Sequence, residues 1–452
     1  MARRLAQGDR VVTLSGLAGA TKGLAIIHAI LADKRPAAVL TSTNLEAEQL
    51  AQDIRFFLEL FASAPLNVIH LPSFEVDPYR GLSPHPEIAA ARAQAIWQIL
   101  QGQPCVLVAS VRAAAARLHG TQRFLEHCLE LKTGDDCSPE EVRRHLHESG
   151  YIEDDPVTEP GEFSLRGGIL DLFSPNLENP ARLEFYGDRL ESLRLFDPES
   201  QRSVSTRQSI EIVPMREYSV SSAMLRRWAE EVPSHWSEPF QKHLEEEIGL
   251  ARQGEPFPAF EFFLPAIDPP EKTLFDYICG FRVITVDREV MEGALDKHHA
   301  ELYERYVDRI EAHKPVLAPD RIYITLDELR AGLDRFPRLE LEELGIDKPG
   351  ESQLRLASQI TRKYHGNLHE LVEDLKKFRD AGERVVFLFS NLGRAERINE
   401  ILREYEIPAQ LCREEEKEER AADGGAVLLG VGQLHAGFYL PAANLRVLTG
   451  QD

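Results

Sequence analysis

Cysteine is scarce and scattered in this chain: Cys105, Cys128, Cys137, Cys279 and Cys412 are five in 452 residues, odd in number and without a C-x-x-C pair. That excludes a disulfide framework and a zinc ribbon, and predicts reduced thiols in a cytoplasmic protein. Long apolar runs are missing too. The opening MARRLAQGDRVV has charge but no apolar segment behind it, and Leu24 to Ala32 includes His28 and is far too short to span a bilayer. The expectation is a protein neither exported nor membrane-embedded. Positive charge is in deficit, with 52 Lys and Arg against 74 Asp and Glu and a net charge of −22. Free, sequence-independent nucleic-acid binding draws on cations that neutralise phosphates, so this balance argues against it and suits a basic partner surface. Catalytic signatures are also absent. His145-Leu146-His147-Glu148 and His298-His299 lack H-E-x-x-H spacing and read as surface histidines, and there is no G-x-S-x-G, so neither a metal site nor a nucleophile is predicted.

What is present is a composition of ordinary globular type, 43% hydrophobic, long enough for about three domains. Val11 to Leu14 is a short apolar strand, followed by a Gly-containing turn and a helix from about Thr21 to Ala32. Ala37 to Leu40 is a second strand, after which Thr43 and Glu46 form a capping box opening a helix to about Leu58. Asn67 to Leu71 and Cys105 to Ala109 are further strands, with a helix from Glu87 to Leu100 between them. Strands alternating with helices predict a doubly wound parallel sheet. From about Phe124 to Val213 the pattern becomes strand-rich α+β, an insertion, with Ile210 to Pro214 leading back to the first domain. A strand at Phe281 to Val286 and an acidic helical stretch around Phe240 to Ile248 follow. Leu341 to Glu351, with Gly345, Pro349 and Gly350, reads as a linker. The last hundred residues form another βαβ unit: helix Leu368 to Phe378, strand Arg384 to Phe389, helix Leu392 to Tyr405 and strand Ala426 to Gly430. The charge run Arg413 to Arg420 is most simply a solvated helix face. The expected division is therefore 1–123, an insertion at 124–213, a return at 214–340, the linker at 341–351 and a second α/β domain at 352–452.

Two places carry chemistry. The first is Gly16-Leu17-Ala18-Gly19-Ala20-Thr21-Lys22-Gly23, between a strand and a helix, the location of a phosphate-binding G-x-x-x-x-G-K-[ST] loop. Gly16 and Lys22 are kept. Thr21 replaces the second glycine, bringing a branched Cβ where permissive dihedrals are expected, and Gly23 replaces the magnesium-binding hydroxyl. The loss of these parts predicts no hydrolysis. Binding without turnover stays open, since a helix N-terminus plus Lys22 still attracts an anion.

The second is the pair of stretches GEFSLRGGILDLF (Gly161 to Phe173) and ARLEFYGDRLESLRLFD (Ala181 to Asp197). A period of two puts Leu183 and Phe185 on one face of a strand and Arg182, Glu184 and Tyr186 on the other. Gly187-Asp188 supplies a hairpin turn, and Leu190, Leu193 and Leu195 carry the chain back. Arg182 and Tyr186 would stand roughly 13 Å apart on the exposed side, with Arg166 at the end of a neighbouring strand. An aromatic flanked by arginines is the composition of a protein-binding hot spot. From composition alone, ordinary solvent-facing strand residues are the commoner reading.

The run from Gly150-Tyr151 through these two stretches and on to DPESQ resembles the small UvrA-binding domain shared by the excision-nuclease subunit UvrB and the transcription-repair coupling factors. LPSFEVDPYRGLSPHPEIAAARAQAIWQIL (Leu71 to Leu100) is similar to the coupling factors and unlike UvrB, which there carries a long Tyr-rich hairpin that inserts into damaged DNA and for which this chain has no room. RVVFLFSNLGRAERINEILRE and GVGQLHAGFYLPAANLRVLT are similar to a helicase's second RecA-like lobe. Such a lobe normally ends in Q-x-x-G-R-x-x-R; the chain stops at Asp452 and so looks truncated. The resemblance implies an α/β protein: a degenerate RecA-like domain of P-loop type, an inserted α+β UvrA-binding domain and a second degenerate RecA-like domain. It implies contacts to UvrA through Arg166, Arg182 and Tyr186, and a degenerate nucleotide site at Gly16, Gly19, Thr21, Lys22, Gly23 and Asp287. In UvrB-like sheets a strand ends in Asp-Glu, whereas FRVITVDRE keeps Asp287 and puts Arg288 in place of the carboxylate. The implied function is recruitment of UvrA to RNA polymerase stalled at a lesion, with no cofactor in this segment. Polymerase, double-stranded DNA, ATP and magnesium would belong to C-terminal parts that drive translocation. The alternatives are an active UvrB-type or helicase ATPase acting on damaged DNA, and a stand-alone regulator that titrates UvrA away from repair.

Overall fold

The computed structural model describes residues 1–452 apart from 7, 34, 63–65, 345–353, 413–425 and 451–452. The charge run Arg413 to Arg420 and most of the expected linker lie outside the described residues. After a one-turn helix at Ala2–Ala6, the chain runs through β1 (Val11–Ser15), α1 (Thr21–Asp33), β2 (Ala37–Thr41), α2 (Asn44–Phe61), β3 (Asn67–Leu71), α3 (Pro86–Leu100) and β4 (Cys105–Ser110). Thr43 caps α2 by accepting from the Glu46 amide. The capping box is only half made, because the Glu46 carboxylate turns back to the Ser42 amide and hydroxyl.

The insertion runs through β5 (Leu129–Lys132), α4 (Pro139–Glu148), β6 (Ile152–Glu153), β7 (Glu162–Arg166), β8 (Ile169–Leu172), β9 (Ala181–Tyr186), β10 (Arg189–Phe196), β11 (Ser203–Thr206) and β12 (Ser209–Ile212). Six of these strands form one sheet in the order β11-β10-β9-β8-β7-β6. The segment expected to lead back to the first domain instead starts with β12 paired antiparallel to β5, and Ile210 and Ile212 pack into the insertion's own core with Leu131.

The chain then returns to the first sheet through β13 (Arg282–Val286), α5 (Arg288–Glu311), β14 (Arg338–Glu342) and β15 (Leu354–Arg355). The order is β15-β1-β14-β13-β2-β4-β3, with every pairing parallel. β14 was not foreseen. Its alternation RLELE carries charge, yet it lies between β1 and β13, so Leu341 and Glu342, assigned above to the linker, complete a central strand. Alternate residues feed two cores. Leu40, Leu107 and Val283 face one side, and Val39, Val108 and Ile284 the other. A parallel sheet covered on both faces reads as a continuous apolar run, which is why these strands were legible.

The last unit comprises β16 (Gln359–Ile360), α6 (Leu368–Asp380), β17 (Arg384–Phe389), α7 (Leu392–Glu404), β18 (Ala409–Leu411), β19 (Val427–Val431), β20 (Phe438–Leu440) and β21 (Leu445–Thr449). Its sheet, β16-β20-β21-β17-β19-β18, has a parallel centre with antiparallel β20 and β16 at one side. The class expected from sequence is thus what the chain adopts: α/β, with a RecA-like parallel sheet, an inserted α+β unit and a second α/β unit. Among the described residues no helix is long and apolar enough to cross a membrane.

Candidate functional site: an open sheet face and a closed loop

On the insertion's sheet, Leu183 and Phe185 point into the core and Arg182, Glu184 and Tyr186 outward, as the alternation requires. Tyr186 ends β9 opposite Arg189 and is 82% exposed. A bulge at Glu191 lets β10 return with Leu190 and Leu193 inward while Ser192 and Arg194 stay outward beside Glu184 and Arg182. β8 joins this face through Asp171, opposite Arg182, and Ile169, which lies between Arg166 and Glu184.

Asp171 organises the arginines. Its side chain is only 2% exposed. Its Oδ1 accepts from Arg182 Nε at 2.7 Å, and its Oδ2 accepts from Arg182 Nη2 at 2.8 Å and from Arg166 Nη2 at 3.2 Å. The Arg182 guanidinium also lies 4.7 Å from the centre of the Phe196 ring, and its bond to Asp171 pushes its already high pKa further up. Arg166, more than half exposed, reaches on to Asp155. The two arginines therefore differ: Arg182 is a neutralising partner inside the sheet, and Arg166 is the one whose charge reaches solvent. Arg194 and Ser192 bind Glu184 in a neighbouring cluster. Asp171 was missed in the sequence, although L-D-L between buried leucines put an acid on the outer face.

The loop after β1 is differently built. Gly16 and Gly19 have positive φ, +79° and +56°, and each lies against backbone from elsewhere in the chain. A Cβ on Gly16 would come within 2.5 Å of the Leu356 carbonyl oxygen, and one on Gly19 within 2.8 Å of the Gly437 carbonyl oxygen. Ser358 completes the filling. Its hydroxyl accepts from the Ala18 amide at 2.7 Å, donates to the Gly16 carbonyl at 2.8 Å and meets Thr21 Oγ1 at 3.1 Å. Thr21 is not strained by its branch. It is the first residue of α1, fully buried, and donates to the Ala18 carbonyl at 2.7 Å.

Lys22 turns to carboxylates. Its ammonium is 2.8 Å from Asp287, 3.4 Å from Glu46 and 3.6 Å from Glu343. Burial alone would lower its pKa, but the bond to Asp287 and the three negative charges more than reverse this, and the net shift is upward. Asp287, in a left-handed conformation after β13, also accepts from the Glu343 amide at 2.8 Å. Arg288 is held by Glu292 at 2.7 Å and Glu340 at 3.0 Å. Gly23 serves packing, since its Cβ would come within 2.8 Å of the Asp53 Cβ on α2. The structure thus gathers Arg166 and Arg182 around one acid with Tyr186 on the same strand, and gathers Gly16, Gly19, Thr21, Lys22 and Asp287 around a loop filled by protein. Ser358 had no sequence signal, being separated from Gly16 by 342 positions. No group of three or more His, Cys, Asp or Glu suited to a metal ion occurs among the described residues.

Comparison with known proteins gives two family matches: residues 129–218 match the UvrB interaction domain, and residues 375–452 match the MFD, D3 domain. The chain is similar to the transcription-repair-coupling factor of Myxococcus xanthus, 30% identical over 99% of this chain and 39% of that protein. It is 27% identical to the Escherichia coli (strain K12) factor over 90% of this chain and 35% of that one, and 24% identical to the Bacillus subtilis (strain 168) factor over 99% and 38%. The chain therefore spans little more than a third of the length of these relatives. Both matched segments fall where the insertion and the second α/β unit lie, and the chain belongs to the transcription-repair-coupling factor family.

Proposed function

We propose that this chain is the part of a transcription-repair coupling factor that recruits UvrA, through the outer face of β7 to β10. Tyr186 is the apolar anchor, Arg166 supplies charge-assisted hydrogen bonds to acidic groups on UvrA, and Arg182 fixes Asp171 so that the face keeps its shape. The observation that carries this reading is Tyr186 itself. A ring 82% exposed at the end of a strand, beside an ordered arginine cluster, stabilises nothing inside the fold, and it sits within the segment matched to the UvrB interaction domain.

In the complete protein, this module would be brought to RNA polymerase stalled on damaged double-stranded DNA in the cytoplasm. ATP and magnesium would be used by a translocase elsewhere in that protein. For the loop at Gly16 to Gly23 the proposed reading is one without nucleotide turnover, supported by the bond between Lys22 and Asp287 and by Ser358 lying in the loop. Titration of purified UvrA with the wild-type chain and with Tyr186→Ala and Arg166→Ala tests the docking assignment. The expected result is at least tenfold weaker binding for each variant with unchanged melting temperature; equal affinities for all three proteins overturn it.

A further inference from the structure

We infer that the former phosphate loop is now a protein socket that holds the two α/β units together permanently, with the chain's own 354–358 segment and 434–438 turn as its occupant. In a two-lobed motor a loop of this kind gates contact between lobes through a bound nucleotide. Here protein groups make the contact, through four sets of interactions around the loop.

The first is Ser358, whose hydroxyl accepts from the Ala18 amide, a donor that a phosphate could otherwise use, and donates to the Gly16 carbonyl. The second is β15, which pairs Leu354 and Arg355 with Leu14 and Ser15 and so adds a downstream strand to the edge of the first sheet. The third is a buried hydrogen-bonded pair, Asp53 with His435. Asp53 on α2 has no exposure, and its carboxylate accepts from the His435 amide at 2.9 Å and from His435 Nδ1 at 2.5 Å. The fourth is a shared core, in which Leu434, Phe438, Leu440 and Val447 belong to the same apolar cluster as Ile26, Leu50 and Ile54 of the first unit. Its fit is close: a Cβ on Gly432 would come within 2.2 Å of the Phe56 ring, and the Phe57 and Phe438 ring centres are 6.5 Å apart.

These contacts differ in kind from a ligand-gated cleft. A nucleotide site must stay polar and open between cycles, whereas an apolar core shared by both units, with a buried carboxylate already paired, is costly to separate. Gly16, kept from the nucleotide-loop pattern, and Gly19, at one of its variable positions, serve backbone approach, to Leu356 and to Gly437. Their positive φ is still required, but for a peptide and not a phosphate.

The test is amide hydrogen exchange on the intact chain, comparing wild type, Ser358→Ala and His435→Asn, each with and without Mg-ATP. The socket predicts slow exchange in wild type across 14–24, 354–358 and 434–438, unaltered by Mg-ATP. Ser358→Ala should raise exchange by about tenfold in all three segments together, including those it does not touch, while 162–196 in the inserted sheet keeps its wild-type rate. His435→Asn keeps a side-chain donor for Asp53 and should show the same coupled pattern at smaller amplitude. Exchange that rises only at the substituted segment, or protection of 14–24 by Mg-ATP in wild type, overturns the inference.

Discussion

The outer sheet face and the filled loop are made from the same materials, a cation set against carboxylates, and they end in opposite states. Around Asp171, Arg182 and Arg166 are ordered by a nearly buried acid, and the strand still leaves Tyr186 projecting into solvent. Around Lys22, Asp287, Glu46 and Glu343 absorb the charge, and the loop beside it is filled by Leu356, Ser358 and Gly437. The lesson is that ordered charge alone does not mark a working site. What separates the two regions is that the chain's own backbone and side chains fill the space at the loop, while the outer face of the sheet stays open.

The comparison can be broken by substitution, and the largest effect is expected at Arg182. Arg182→Ala leaves Asp171 with only the longer contact to Arg166, and should destabilise the insertion by about 3 kcal/mol, read as a lower urea midpoint. An unchanged midpoint would show that Asp171 does not depend on it. Tyr186→Ala should do the reverse, costing about 2 kcal/mol of UvrA binding and less than about 0.5 kcal/mol of stability. A loss of stability without a loss of binding would exchange the roles assigned to the two residues.

At the loop, Gly23→Ser puts back the hydroxyl that a magnesium site needs. Because its Cβ would come within 2.8 Å of the Asp53 Cβ, the variant should lose about 1–3 kcal/mol of stability and gain no Mg-ATP binding by calorimetry. Recovered nucleotide binding would reopen the enzymatic reading. Lys22→Met should have the smallest effect, about 1–2 kcal/mol at neutral pH. The folded-state pKa of Lys22 is raised above 10.5, so its stabilisation is fully present below that value and is lost as pH rises through the folded-state value. The gap between wild type and Lys22→Met in denaturation experiments should therefore close only at strongly alkaline pH.

How much of this was legible in the sequence follows from how local each signal is. The central strands declared themselves as continuous apolar runs, and the β9 and β10 hairpin as alternation around Gly187-Asp188. Arg338–Glu342 did not, because its charged alternation reads as a solvated segment: Glu340 is accommodated by Arg288, 52 positions away, and Arg338 by Asp334 and the Leu333 carbonyl in the turn just before the strand. The three residues expected on the docking face are named from alternation and resemblance, and the structure places all three on the outer side of the sheet; the acid that orders two of them needed the pairing of β8 with β9 to be seen. At the loop, the missing glycine and hydroxyl were visible at once. The physical reason for Thr21 and Gly23 was not, since it lies in Ser358 and Asp53, which no local spacing connects to them.

The pairing of β5 with β12 has a consequence of its own. The two ends of the inserted unit leave side by side, as neighbouring strands of one small ribbon, steadied where Trp97 donates to Glu211 at 2.8 Å and Gln94 to the Pro175 carbonyl at 2.8 Å. A unit that departs and rejoins at one point can be lifted out of its host or grafted into another with little rebuilding of either. Such a stalk offers a route by which one adaptor surface could come to be carried by otherwise different repair proteins.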